Sequence, residues 1–286
     1  MRTIKTTNNY TVFGEIFENT REMINVIERR TCVDRDIFDD IFQDSYVCDR
    51  PSFKGFKTKE SLIQDCLSCK VDTSSVQSIQ TGLRPSQNIT KVKFFNDVAG
   101  FKPIVPLALI NQPKAMRSQR LVQHKAKVID LYVNISCCGS YTLSEIERAG
   151  ADLMTYVLSL EQQGYRVSLT TFWGTICPDR NVSLVGVKVK DSSQPLDIKR
   201  CAYPFINPSF HRGICWGWYE RTEGFCHSKG FGCPMSKWSA QAQDVKKALG
   251  IKNGTVLYFS DILDVGRPYI ESTIQMECPQ NGPVRA

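Results

Sequence analysis

Apolar residues recur along this chain with distinct rhythms, and each rhythm predicts a different kind of element. Over 12–30 the spacing is helical: Ile16, Phe17, Met23, Ile24 and Ile27 share one face, and Glu15, Glu18, Arg21, Glu22, Glu28 and Arg29 are polar. A shorter helix is predicted over 34–44, with Ile37, Phe38, Ile41 and Phe42 inward and Asp34 or Asp36 near its start. A third fits 59–67, where Thr58 caps and Leu62, Ile63 and Cys66 form the stripe. Residues 70–92 are rich in Ser, Thr, Gln and Asn and read as loop with at most one short helix. From 93 to 120 the pattern is irregular. Phe94, Phe95, Phe101, Ile104, Val105 and Leu107 to Ile110 are apolar, but Pro103, Pro106 and Pro113 exclude a long regular helix, so an extended strap packed on the main domain is expected.

The next stretch is the most informative. Residues 127–136, KVIDLYVNIS, form a β-prone run apolar enough to be buried on both faces. Cys137 to Tyr141 make a tight loop, and Thr142 and Ser144 each have a glutamate three residues on, so either can build a capping box. Ile146, Ala149, Leu153, Val157 and Leu160 give a helical stripe ending at Gly164, and residues 165–172, YRVSLTTF, are a second strand. Strand, helix and strand joined by short connections predict a right-handed crossover between parallel neighbours. Residues 181–190 alternate and predict a strand with one wet face near the sheet's edge. A helix is expected from Pro195 to about Phe205, another over 238–249 stopping at Gly250, a buried strand over 254–263 and a final helix over 267–277. Residues 207–238 hold three of the four tryptophans and show no clear period.

These elements predict an α/β fold: an open, largely parallel sheet over 125–286, a mainly helical N-terminal region over 1–92, and the strap or linker over 93–124. Composition fits, at 42% hydrophobic and 23% charged residues in a chain of 286. No apolar run reaches the roughly 18 to 20 residues that a membrane-spanning helix needs, and Met1 to Tyr10 lack the pattern of a signal peptide. The expected setting is therefore cytoplasmic, with no membrane partner. The net charge of +7 permits nucleic acid or an acidic partner without requiring either. Its densest stretch, Lys114, Arg117, Arg120, His124, Lys125 and Lys127, is either a solvated linker or a phosphate-contacting arm. Twelve cysteines without an export signal read mostly as buried reduced thiols.

Lys127 to Trp173 resembles the opening of a von Willebrand factor A-type domain, where a hydrophobic strand ends in Asp-x-Ser-x-Ser and a helix and a second strand follow. The motif stands here as Asn134, Ile135, Ser136, Cys137 and Cys138; Arg166 to Phe172 match the second strand, and Leu257 to Asp261 the later strand ending in Ser-Asp. A Rossmann-like sheet is the broader form of this expectation. Ala108 to Met116, 128–163 and Asn207 to Arg212 also resemble an uncharacterised family carried by bacteriophages and other mobile elements, which implies a phage origin and a host bacterial cytoplasm but no activity.

Three constellations could carry chemistry. The resemblance places a metal-adhesion position at Asn134, Ser136 and Asp261. Asn removes the leading charge and Cys138 puts sulfur where Mg²⁺ wants oxygen, so Asn134, Ser136, Ser140 and Asp261 are expected as partner-binding residues with no cation. Cys215, Cys226, His227 and Cys233 could hold a structural zinc, but match no standard finger spacing; Cys66 and Cys69 have the right gap but no second pair. His211 and Arg212, with Glu220 nearby, suit phosphate recognition or an ion pair. The chain contains no phosphate loop, dinucleotide fingerprint, nucleophile elbow or H-E-x-x-H. The function expected is non-enzymatic: a binding or assembly protein acting on a protein partner without a cofactor. The alternative is a nucleic-acid-associated phage replication or processing protein.

Overall fold

The computed structural model describes residues 2–5, 11–34, 38–72, 74, 76–77, 79, 91–122, 127–177, 181–223 and 231–277. Their order is β1 (Arg2–Lys5), β2 (Thr11–Phe17), α1 (Thr20–Arg29), α2 (Pro51–Lys54), α3 (Lys59–Leu67), β3 (Lys91–Asp97), β4 (Lys102–Pro103), α4 (Val105–Leu109) and β5 (Met116–Val122). Then come β6 (Val128–Asn134), α5 (Leu143–Gln162), β7 (Arg166–Ile176), β8 (Val182–Lys190), α6 (Ile198–Ile206), a π-helical turn (Phe210–Cys215) and α7 (Trp216–Glu220). The chain continues through β9 (Cys233–Pro234), α8 (Ala242–Leu249), β10 (Thr255–Tyr258), α9 (Phe259–Val265) and α10 (Arg267–Glu277).

The fold is mixed α/β. Its central sheet runs β1-β2-β8-β7-β6-β10, with β9 added beside β7. Neighbours are parallel at β2/β8, β6/β7 and β6/β10, and antiparallel at β1/β2, β7/β8 and β7/β9. The expected crossover is present: β6 lies parallel to β7, with α5 between them in sequence. Thr142 caps α5 by a reciprocal box, its backbone N–H donating to Glu145 and its hydroxyl accepting from the Glu145 N–H. Alternate residues of the sheet serve two cores. On one face Leu131, Leu169 and Val185 meet Ile24 of α1, Leu153 of α5, Ala202 of α6 and Ile270 of α10. On the other, Phe172, Leu184 and Val256 meet Val245 and Ala248 of α8.

Several expected elements differ. The helical spacing over 12–30 belongs to two elements, because β2 occupies Thr11–Phe17 and only α1 is helical. Val12, Phe13 and Phe17 are buried by pairing beside β8, a neighbour 170 residues away that no local window could show. The expected N-terminal helical region thus contributes strands to the central sheet, and 13–79 and 129–274 supply one shared core. The helix expected over 34–44 is absent from the described part of that span. Asp40 adopts φ +50, and the Ile41 N–H donates to the Glu220 carboxylate instead of to a preceding turn. β8 lies between β2 and β7 rather than near the edge, and only Lys188 in it is exposed. β10 ends at Tyr258, and Phe259 to Val265 are already helical.

The segment 208–220 is helical although it shows no period. Phe210 to Cys215 and Trp218 to Glu220 are all buried, and a helix enclosed on every side has no polar face to reveal its spacing. Gly213 and Gly217 permit that enclosure: a Cβ at Gly213 would lie 2.5 Å from Leu62 Cδ1, and one at Gly217 2.3 Å from Phe42 Cε2.

The expected strap is instead a separate three-stranded antiparallel sheet, β3-β5-β4, carrying α4. Between Ile79 and Ile129 no described residue joins either core. Fifteen large hydrophobic side chains are exposed among the described residues, and seven of them fall between 94 and 110: Phe94, Phe95, Val98, Phe101, Val105, Leu109 and Ile110. The exposed apolar side chains of this module therefore belong to neither core. No helix among the described residues is long and apolar enough to cross a membrane.

Candidate functional site

β6 and β10 are parallel, with Asn134 paired beside Tyr258, so their carboxyl ends share one rim. That rim is where open α/β sheets carry ligands. Asn134 is the last residue of β6, and Asp261 lies in the first turn of α9. Asn134, Ser136 and Asp261 are brought together through the segment that follows β9. Asn134 Oδ1 accepts from the backbone N–H of Ser136 at 3.1 Å and of Gly174 at 2.9 Å, while its Nδ2 donates to the Met235 carbonyl at 3.5 Å. The Met235 N–H donates to Ser136 Oγ at 3.2 Å, and the Lys237 N–H to Asp261 Oδ2 at 2.9 Å. Met235 thus seals the rim from above.

This arrangement has chemical consequences. Asn134 and Ser136 are fully buried, so neither presents a surface to a partner, and Asp261 is nearly so. Burial raises the Asp261 carboxyl above its ordinary value, partly opposed by the Lys237 N–H. Ser140 is exposed. Trp238 is 80% exposed, and the Lys237 ammonium lies 4.8 Å from both the Trp238 and the Tyr269 ring centroids. Trp238 and the Met235–Lys237 cover were not singled out in the sequence, because what they cover is visible only once β9 has brought them to β7.

The second constellation divides. His211 is buried with Nδ1 3.7 Å from Cys137 Sγ, and burial pushes its pKa down to about 3, which keeps the ring neutral. The neighbouring Cys137 thiol is pushed up to about 11 by burial, so the pair is not a thiolate–imidazolium couple. Arg212 donates to the Phe53 carbonyl at 2.8 Å and the Tyr141 carbonyl at 3.5 Å, and its guanidinium stacks 3.8 Å from the Phe53 ring centroid. These contacts tie α2 to the loop after β6. Glu220 sits elsewhere, at the end of α7, accepting the Ile41 N–H at 2.9 Å. Burial raises its carboxyl to about 8. Beside it, Arg221 forms a buried ion pair with Asp40 and donates to the Arg30 carbonyl at 2.6 Å. Arg212 and Glu220 therefore act as fasteners between the N-terminal segment and the enclosed helix, whereas His211 meets Cys137 after β6 and the Trp173 ring of β7.

For the zinc alternative, Cys215 is buried in the main core and its thiol is raised far above its ordinary value by burial, whereas Cys233 is exposed on β9. Cys226 and His227 lie outside the described residues. Among the described residues no group of three or more His, Cys, Asp or Glu could hold a metal. Of the basic stretch 114–127, Arg117 is in β5 with its guanidinium 5.0 Å from the Phe94 ring centroid, and His124 and Lys125 lie outside the described residues.

A family described as a domain of unknown function, DUF7192, matches residues 4–267. Curated proteins and solved structures give no match.

Proposed function

The chain belongs to the DUF7192 family, whose description assigns no activity, and on that premise we propose a non-enzymatic binding or assembly protein that engages a protein partner through the 91–122 module. The observation that carries this reading is the concentration of exposed apolar side chains between Phe94 and Ile110. Contiguous apolar surface outside the core marks a contact surface, and Val98, Val105, Leu109 and Ile110 are aliphatic, which suits a protein better than a nucleobase. The sealed rim supports the non-enzymatic part, since Asn134 and Ser136 are spent on backbone partners. A von Willebrand A-like core, a phage origin and a host bacterial cytoplasm belong to the same proposal. They rest on the sequence resemblances at 108–116, 127–173 and 207–212.

A second reading has its own observation. Lys102, Lys114 and Arg117 share the module with Phe94 and Phe101, and Arg117 stacks on Phe94. Basic and aromatic groups interleaved in this way are how proteins hold single-stranded nucleic acid. One experiment separates the readings: photo-reactive residues at Phe101 and Leu109, with Met276 as an exposed apolar control, illuminated in bacterial cells. Protein adducts from 101 and 109 but not 276 are expected. Adducts sensitive to nuclease would replace the first reading with the second, and none at all would defeat both.

A further inference from the structure

β3 closes the order β3-β5-β4 at one end, with β5 on one side and, among the described residues, no strand on the other. A seven-residue free edge is a template for another strand. The segment Lys91 to Asp97 reads Lys-Val-Lys-Phe-Phe-Asn-Asp, basic at its start and acidic at its end. An antiparallel copy reads the reverse order, so the strand complements itself. A two-fold axis through Phe94 places Lys91 opposite the other copy's Asp97 at both ends, Val92 opposite Asn96, and Phe94 opposite Phe94. An axis through Lys93 would set like charges face to face, and one through Phe95 would keep only five of the seven residues within the strand.

The surroundings of Phe94 fit the same axis. Its ring is half exposed, 6.2 Å from the Phe101 centroid and beneath Arg117. Two-fold pairing there brings two such Phe94–Phe101 pairs together and covers apolar surface that nothing described in the chain covers. Isologous two-fold contacts are the commonest way a chain assembles with itself.

We propose that the protein forms a homodimer by antiparallel edge-to-edge pairing of β3 about Phe94, joining two three-stranded modules into one six-stranded sheet. This rests on the reading of the module as a protein-contact surface and names a second copy of the chain as its occupant.

Sedimentation velocity on the full chain tests it with five samples. The unmodified protein is expected as a dimer at micromolar concentration. Lys91→Asp and Asp97→Lys, each of which turns two attractive pairs repulsive, are each expected to weaken the dimer by about tenfold or more. The double variant, and an equimolar mixture of the two single variants, are expected to dimerise again, because each arrangement restores opposite charges at both ends. Circular dichroism of each variant should match the parent. A monomeric parent, a Lys91→Asp protein that still dimerises fully, or a mixture that stays monomeric would overturn the proposal. A monomeric parent that still gives protein adducts from Phe101 and Leu109 would remove the homodimer and leave the binding reading standing. Loss of those adducts with the dimer intact would do the reverse.

Discussion

Glu220 illustrates how a single side chain can be kept at a cost. Its carboxylate accepts the Ile41 N–H inside the core, and burial raises its pKa from 4.5 to about 8. A carboxyl whose folded value is raised keeps a proton that the unfolded chain releases, so folding loses stability as pH rises from about 4.5 to about 8. Glu220→Gln retains an acceptor for Ile41 without the ionisation. The variant should melt close to the parent near pH 4 and be more stable by about 1 to 3 kcal/mol at pH 8. Thermal melts of both proteins across that range check it; a parent-to-variant gap that does not widen with pH would contradict the assignment. His211 works in the opposite sense, since its depressed value removes stability as pH falls from 6.5 toward 3.

At the scale of elements, the helix through 208–220 depends on the two glycines that let its neighbours approach. Gly213→Ala should cost about 1 to 3 kcal/mol by forcing Leu62 aside. Leu62→Ala in the same chain should make the double variant less destabilised than the two single costs added together. Denaturant unfolding of the three variants measures this, and strict additivity would refute the packing argument. The same helix marks what could be read in advance. β6, α5, β7 and α10 were legible because each has a period, a cap or a terminal glycine of its own. That Asn134 and Asp261 lie at the carboxyl ends of adjacent parallel strands was legible as well, since β6 and β10 both read as buried strands of one sheet. β2 was misread because Ile16 and Phe17 stand seven residues before Met23 and Ile24, a helical spacing, and only its distant partner decides otherwise. The enclosed helix was missed because total burial erases amphipathic contrast, and the sealing role of Met235 because backbone groups leave no trace in residue type.

For the whole molecule, the sheet is one body and the 91–122 module stands apart from its core. Replacing Lys91 to Val122 with a Gly/Ser linker should leave far-ultraviolet circular dichroism in proportion to the residues kept and the melting temperature within a few degrees, because no described residue between Ile79 and Ile129 joins either core. A cooperative loss of the whole fold in that deletion would contradict it. The placement of β2 carries a further consequence, in the time domain of synthesis. The Thr11 N–H finds its acceptor on Asn181, 170 residues later, and Val12, Phe13 and Phe17 are buried beside a strand of the same late stretch. A ribosome adding about 5 to 20 residues per second takes roughly 10 to 35 s to reach that partner. For that interval the nascent chain displays a short apolar strand that has β1 on one edge but lacks its inner neighbour β8, and slowing translation between β2 and β8 should lengthen its dependence on chaperones.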